Sequence, residues 1–171
     1  NNVEKEGYVL IPRNASYDQI IDSISPYIKD KAAFLKIAKE KGLAQHFKPG
    51  RYHIKIGASN SSLVNMIKAG NQTENTYRLG DFGDVYQLVG KVTKKTELDS
   101  LTFVNELNKI AVEKGYKNAE DLKKYFLIDS YNFYWTVTPK EFFTKFENQY
   151  NDFWDADRKA KEEKLGLTRD Q

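Results

Sequence analysis

Two segments of this 171-residue chain are close copies of each other. Ala15-Ser16-Tyr17-Asp18-Gln19-Ile20-Ile21-Asp22-Ser23-Ile24 aligns with Ala58-Ser59-Asn60-Ser61-Ser62-Leu63-Val64-Asn65-Met66-Ile67 at a constant offset of 43 positions. Each opens with Ala-Ser, passes through polar residues and continues with apolar residues spaced for one helix face. The second copy follows the turn Lys48-Pro49-Gly50 and the alternating run Arg51 to Ile56, so the repeating unit reads as strand, turn and capped helix. Such a unit buries its apolar face only against a second one, which points to a compact binding module rather than a catalytic scaffold.

The rest of the first half fits that frame. Gly7 to Ile11 reads as a strand closed by Pro12. Ser16 with Gln19 forms a capping box that opens a helix with Ile20, Ile21 and Ile24 inward. Pro26 interrupts it, and Ala32 to Lys41 reads as a second helix with Phe34, Ile37 and Ala38 inward and Gly42 past its end. A third helix runs from Ser59 to Ala69 and stops at Gly70. Residues 7–56 therefore read strand–helix–helix–strand.

The polar stretch Asn71 to Asn75 is the predicted boundary, giving a first subdomain at 1–73 and a second region at 74–171. In the second region Thr76-Tyr77-Arg78-Leu79 reads as a short strand. Asp84 to Val92, Asp99 to Lys114 and Asn118 to Lys124 read as helices, the second with Leu101, Val104, Leu107, Ile110 and Ala111 as its apolar series. The aromatic run Tyr125 to Trp135 reads as strand or extended loop. Its rings suit either a core or a saccharide platform, with the core favoured. Thr138-Pro139-Lys140-Glu141 is a strong helix start carrying Phe142, Phe143, Phe146 and Tyr150, and a separate charged helix is predicted over Asp155 to Lys164, stopped by Gly166. The predicted fold class is α+β: a strand–helix–helix–strand unit plus a mainly helical region with short strands.

Composition removes several functions. The net charge of +3 comes from interspersed Lys, Arg, Asp and Glu, without the basic patch that nucleic acid requires. There is no cysteine, hence no disulfide framework and no thiol chemistry. His46 and His53 are the only histidines, too few and too widely spaced for a metal site. Gly80-Asp81-Phe82-Gly83 is too short for a phosphate loop. No run is long and apolar enough to span a membrane and none reads as a signal peptide. The chain begins at Asn1 rather than Met, so it is read as a piece of a longer protein.

Three blocks, in this order, resemble the YceG-like (MltG-related) family of endolytic murein transglycosylases, most closely its Bacteroidetes-type members. They are Lys48-Pro49-Gly50-Arg51-Tyr52-His53-Ile54 with Gly57-Ala58-Ser59 and the helix ending at Gly70; Tyr125-Phe126-Leu127-Ile128-Asp129-Ser130-Tyr131; and Phe133-Tyr134-Trp135-Thr136-Val137-Thr138 with Phe153-Trp154-Asp155 and Lys164-Leu165-Gly166-Leu167-Thr168. The chain departs from the family where Lys123-Lys124 replaces Glu-Gly and Ile128 replaces Pro. The family's catalytic glutamate lies in a motif that this sequence lacks, so the chain resembles the amino-terminal portion of such an enzyme.

The resemblance implies cleavage inside glycan strands to leave a 1,6-anhydro end. One glutamate serves first as acid and then as base, unlike the carboxylate pairs of ordinary glycosidases. No catalytic residue is assigned here. Glu141 and Glu147 are acids on a helix, but Glu141 is explained by helix capping. The 7–56 unit further resembles a LysM module, whose glycan lies against the loop after the first strand and the loop before the second. By position this implies Arg13, Asn14, Ser16 and Tyr17 with His46, Phe47, Lys48 and Gly50 as glycan-binding residues, although both loops also read as ordinary turns. No cofactor is implied. The older family label of a pyridoxal-phosphate lyase finds no lysine in a recognisable context. The implied partners are peptidoglycan glycan strands and cell-wall synthases, at the periplasmic face of the bacterial inner membrane through an upstream anchor. The competing reading is an interaction module of the wall-synthesis machinery.

Overall fold

In a computed structural model, which describes residues 1–78, 80, 82–126 and 130–165, strand β1 (Gly7–Ile11) pairs antiparallel with β2 (Gly50–Ile54). Gly7 stands opposite Ile54, Val9 opposite Tyr52 and Ile11 opposite Gly50. Alternation along the strands turns Val9, Ile11, Tyr52 and Ile54 into the core and leaves Tyr8 and Leu10 half in solvent. The same 43-residue offset that relates the two sequence copies carries β1 onto β2, and helix α1 (Tyr17–Ile24) starts that far before helix α3 (Asn60–Ala69). The repeat is thus structural: two strand–turn–helix units face each other across one ladder.

Local chemistry explains each helix. Ser16 accepts from the Gln19 N–H while the Gln19 side chain accepts from the Ser16 N–H, a complete capping box for α1. Ser59 caps α3 through the Ser62 N–H at 3.1 Å. Asp30 caps helix α2 (Lys31–Glu40). Pro26 diverts the chain into a single 3-10 turn, Ser25–Tyr27, between α1 and α2. Ile20, Ile24, Phe34, Ala38, Leu63, Val64 and Ile67 meet the inner strand residues in one core. Ile21 and Ile37 are only partly buried against it.

The chain divides into two compact units. The first comprises Asn1–Tyr77 together with two later segments, Lys95–Glu97 and Asn132–Thr136. Those segments are tied in by polar contacts: the Tyr77 hydroxyl donates to the Lys95 carbonyl at 2.7 Å and the Glu97 N–H donates to the Trp135 carbonyl at 2.8 Å. The second comprises Arg78–Lys94, Leu98–Tyr131 and Val137–Gln171. Its described core joins helix α4 (Val85–Val92), helix α5 (Ser100–Glu113), a 3-10 helix (Ala119–Tyr125) and the first half of helix α6 (Pro139–Leu165). Strands β3 (Asn75–Arg78) and β4 (Ser130–Phe133) form a second small sheet.

Several elements differ from the sequence reading. β2 ends at Ile54, because β1 offers no partner before Gly7; Ile56 is 66% exposed. α5 buries Phe103, Leu107 and Ala111, one residue every four, while Leu101 points outward at 70% exposure. The two helices expected around 139–164 are one, since no Gly or Pro lies between Pro139 and Leu165 to break it. The helix at 118–124 is 3-10 over Ala119–Tyr125, capped by Asn118 and Asp121. In the aromatic run Phe126, Tyr131 and Phe133 lie in the core, so those rings are packing and not platform. The departures Lys123 and Lys124 have partners: the Lys123 ammonium donates to the Gly83 carbonyl at 2.7 Å, and that of Lys124 lies over the Tyr116 ring at 4.7 Å. Leu79, Asp81, Leu127, Ile128, Asp129, Gly166, Leu167 and Thr168, on which parts of several readings fall, lie outside the described residues.

Candidate functional site

The two loops singled out in the sequence flank the ends of β1 and β2. The first, at 13–17, is pinned by Arg13. Its N–H donates to Glu97 Oε2 at 2.7 Å, its Nε to Glu97 Oε1 at 2.9 Å, and its terminal nitrogen to the Thr136 carbonyl at 2.8 Å. Both oxygens of Glu97 are therefore engaged by one residue, in a charge-assisted clasp. Arg13 holds the loop in place, Ser16 caps α1, and Asn14 stands exposed beside them.

The second loop is anchored from beneath. Phe47 packs partly buried against the core. The Lys48 N–H donates to the Ile67 carbonyl, and the Lys48 carbonyl accepts from the Tyr52 hydroxyl at 2.6 Å. Gly50 is buried under Gln72, whose side-chain atoms lie 2.8–2.9 Å from where a Cβ would stand. The repeat-related Gly7 is covered in the same way by the Tyr27 ring, at 2.5 Å. Both strand openings thus exclude a side chain. His46 remains exposed.

Between the start of α1, the outer face of α2 and the turn after α2 lies a groove of about 250 Å³ lined by Tyr17, Leu35, Lys39, Ala44 and Gln45; no residue of 46–50 lines it. Tyr17 is the one sequence-selected residue among these, supplied by the first turn of α1. Leu35 and Lys39 sit one turn apart on the outer face of α2, and Ala44 and Gln45 come from the turn after it. Leu35, Lys39, Ala44 and Gln45 escaped the sequence reading. The signal for Leu35 was present: it is a large apolar residue, 39% exposed, off the Phe34–Ala38 stripe. The groove offers an aromatic ring, an aliphatic wall, an ammonium and a carboxamide, a donor set able to hold a neutral, hydroxyl-rich or acetamido ligand. It offers no acid–base pair.

The two acids considered for catalysis both have structural partners. Glu141 Oε1 accepts from the Thr138 hydroxyl at 2.9 Å while its N–H donates back to that oxygen at 3.1 Å. Glu147 pairs with Lys114 at 2.7 Å. The most strongly perturbed groups are tyrosines. Burial pushes Tyr52, Tyr77 and Tyr131 up to about 12, the rise at Tyr77 being opposed by the Arg51 charge. Burial and a 2.9 Å hydroxyl contact with Tyr116 push Tyr125 upward as well. Among the described residues no His, Asp or Glu group is arranged to hold a metal, and no helix is long and apolar enough to cross a membrane.

Comparison with known proteins gives matches of different strength. Among solved structures the chain is similar to a yceG-like protein, lmo1499, from Listeria monocytogenes, with 17% identity and a TM-score of 0.37 over 96% of this chain. It spans 60% of that protein's length. No curated protein matches it. Residues 9–171 match the YceG-like family. The chain therefore belongs to the YceG-like family, a family of endolytic murein transglycosylases.

Proposed function

We propose that this chain is the non-catalytic, amino-terminal portion of a peptidoglycan transglycosylase, and that residues 1–73 carry its contact with glycan strands. On this reading residues 74–171 begin the catalytic region, and the parent protein works at the periplasmic face of the inner membrane through an upstream anchor. The carrying observation is the groove beside Tyr17, where the start of α1 and the turn after α2 converge. Family membership supplies the ligand class. A pyranose stacks its apolar face on the Tyr17 ring and Leu35, while Gln45, Lys39 and the exposed Asn14 and His46 reach its hydroxyl and acetamido groups. Arg13, Ser16, Phe47, Lys48 and Gly50 shape the loops rather than touch the sugar.

The test is sedimentation of the 171-residue chain with purified peptidoglycan. Asn14→Ala with Tyr17→Ala, and separately Gln45→Ala with Lys39→Ala, are expected to lower the bound fraction while circular dichroism stays that of the parent. Equal sedimentation of all three proteins overturns the glycan reading. Capture of soluble cell-wall synthases instead, lost in the same variants, establishes the interaction-module reading.

A further inference from the structure

The second half of α6 carries an aromatic corner, where the exposed Phe153 ring also meets Trp154 at 6.0 Å. Tyr150 and Trp154 are one turn apart, their ring centres 6.1 Å apart with planes inclined at 62°. With Asn151, Asp155 and Arg158 they line a groove of about 460 Å³. Trp154 is 47% exposed. The corner is fixed from behind: the Tyr125 ring meets Tyr150 at 4.7 Å and Phe143 at 5.1 Å, and its hydroxyl is hydrogen-bonded to Tyr116. Among the described residues the buried side chains of α6 end with Phe146, and Trp154 lies two turns beyond it.

Two features distinguish this corner from a protein-docking stripe. An amphipathic partner helix needs apolar residues recurring every three or four positions. Here the series stops with Tyr150, Phe153 and Trp154, and the next turns present Arg158, Lys161 and Glu162, so a docked helix of more than two turns would bury charge. The ring pair is instead flanked by a carboxamide, a carboxylate and a guanidinium within two turns. That combination of flat apolar faces with hydroxyl-seeking groups suits a sugar, whose ring has an apolar face and a polar rim.

We infer that Tyr150, Asn151, Trp154, Asp155 and Arg158 form a second saccharide site, distinct from the Tyr17 groove and taking a β-linked N-acetylhexosamine chain. The sugar class rests on the peptidoglycan reading above; the site does not. Trp154 stacks under one pyranose, Tyr150 closes the side, the Asp155 carboxylate accepts from sugar hydroxyls, the Asn151 carboxamide accepts from them or donates to their oxygens, and Arg158 donates to an acetamido carbonyl or a lactyl carboxylate.

The probe is N-acetylglucosamine hexamer, titrated into the full 171-residue chain with tryptophan fluorescence and ¹⁵N-resolved shifts as readouts. Trp154→Ala and Asp155→Asn are expected to weaken binding by about tenfold or more and to remove shifts along α6. Leu165→Ala, an exposed apolar residue of the same helix that does not line the groove, leaves both unchanged. Tyr17→Ala changes the shifts around α1 and leaves those along α6. Equal weakening by Leu165→Ala and Trp154→Ala reduces the corner to general apolar adhesion and overturns the proposal. So does hexamer binding lost in Tyr17→Ala alone, which would leave the first groove standing by itself. Self-association abolished by Trp154→Ala, with no hexamer shifts on α6, makes a second copy the occupant and likewise overturns it.

Discussion

Val9 and Tyr52 face each other across the β1–β2 ladder and are also the pair that the 43-residue repeat superimposes. The repeat therefore has a local two-fold axis through that pair, and it carries the Gly7–Ile54 partnership onto Gly50–Ile11. In such an arrangement each unit supplies what the other lacks, as in an isologous dimer fused into one chain.

Equivalent positions in the two copies should carry similar stability. Ile20 and Leu63 are 1% and 2% exposed in the shared core. Ile20→Ala and Leu63→Ala are each expected to cost about 2–5 kcal/mol. Denaturant midpoints measure this, and a large effect in only one of the two would show that the copies are unequal in energy despite their geometry.

The Arg13–Glu97 clasp should be worth more than an ordinary surface ion pair. Exposed pairs give about 0–1 kcal/mol, but Glu97 is only 14% exposed and also accepts the Arg13 N–H. Glu97→Ala is expected to cost about 1–2 kcal/mol. Hydrogen exchange at the Arg13 amide should accelerate, whereas exchange within α5 should follow only the global change.

Alkali should weaken the fold through its buried phenols. Tyr52, Tyr77 and Tyr131 titrate at about 12 when folded against an ordinary value of 10.0. The fold thus holds the proton more tightly than the unfolded chain. Its contribution is whole below pH 10 and is lost as pH rises from 10 to about 12. Tyrosinate absorbance followed beside denaturant midpoints checks this. Tyr52→Phe should flatten part of the alkaline slope while losing the 2.6 Å bond to the Lys48 carbonyl.

On isolated sacculi this chain is expected to release no anhydro-terminated fragments. Its glutamates include none in the family's catalytic motif, and Glu141 and Glu147 are engaged by Thr138 and Lys114. Mass spectrometry of the products decides, and anhydro ends that disappear in Glu147→Gln would assign that acid to catalysis.

Much of the first unit was legible because its signals are local. Ser16, Gln19, Pro26 and Ser59 act within a few residues, and alternation along Gly7–Ile11 fixes which strand face is buried. What escaped depends on distant residues. Nothing near Arg13 announces Glu97, 84 positions away, and nothing around Gly50 announces that Gln72 will lie across it. In α5 two apolar series compete, and only the packing of Phe103 against Phe142 selects one. The candidate groove was half legible for the same reason. Tyr17 sits in a recognisable turn, whereas Leu35 and Gln45 become neighbours only when α2 docks.

The clasp also sets a timetable. A chain made from its amino end presents Arg13 long before its partners, 84 residues ahead of Glu97 and 123 ahead of Thr136. At synthesis rates of about 5–20 residues per second, the last of these ties arrives roughly 6–25 s after the loop it secures. The β1–β2 ladder and its three helices can assemble meanwhile, but the Arg13 loop gains its first ties only when Glu97 is made and its last when Thr136 follows. The order of the residues thus makes the core before its latch.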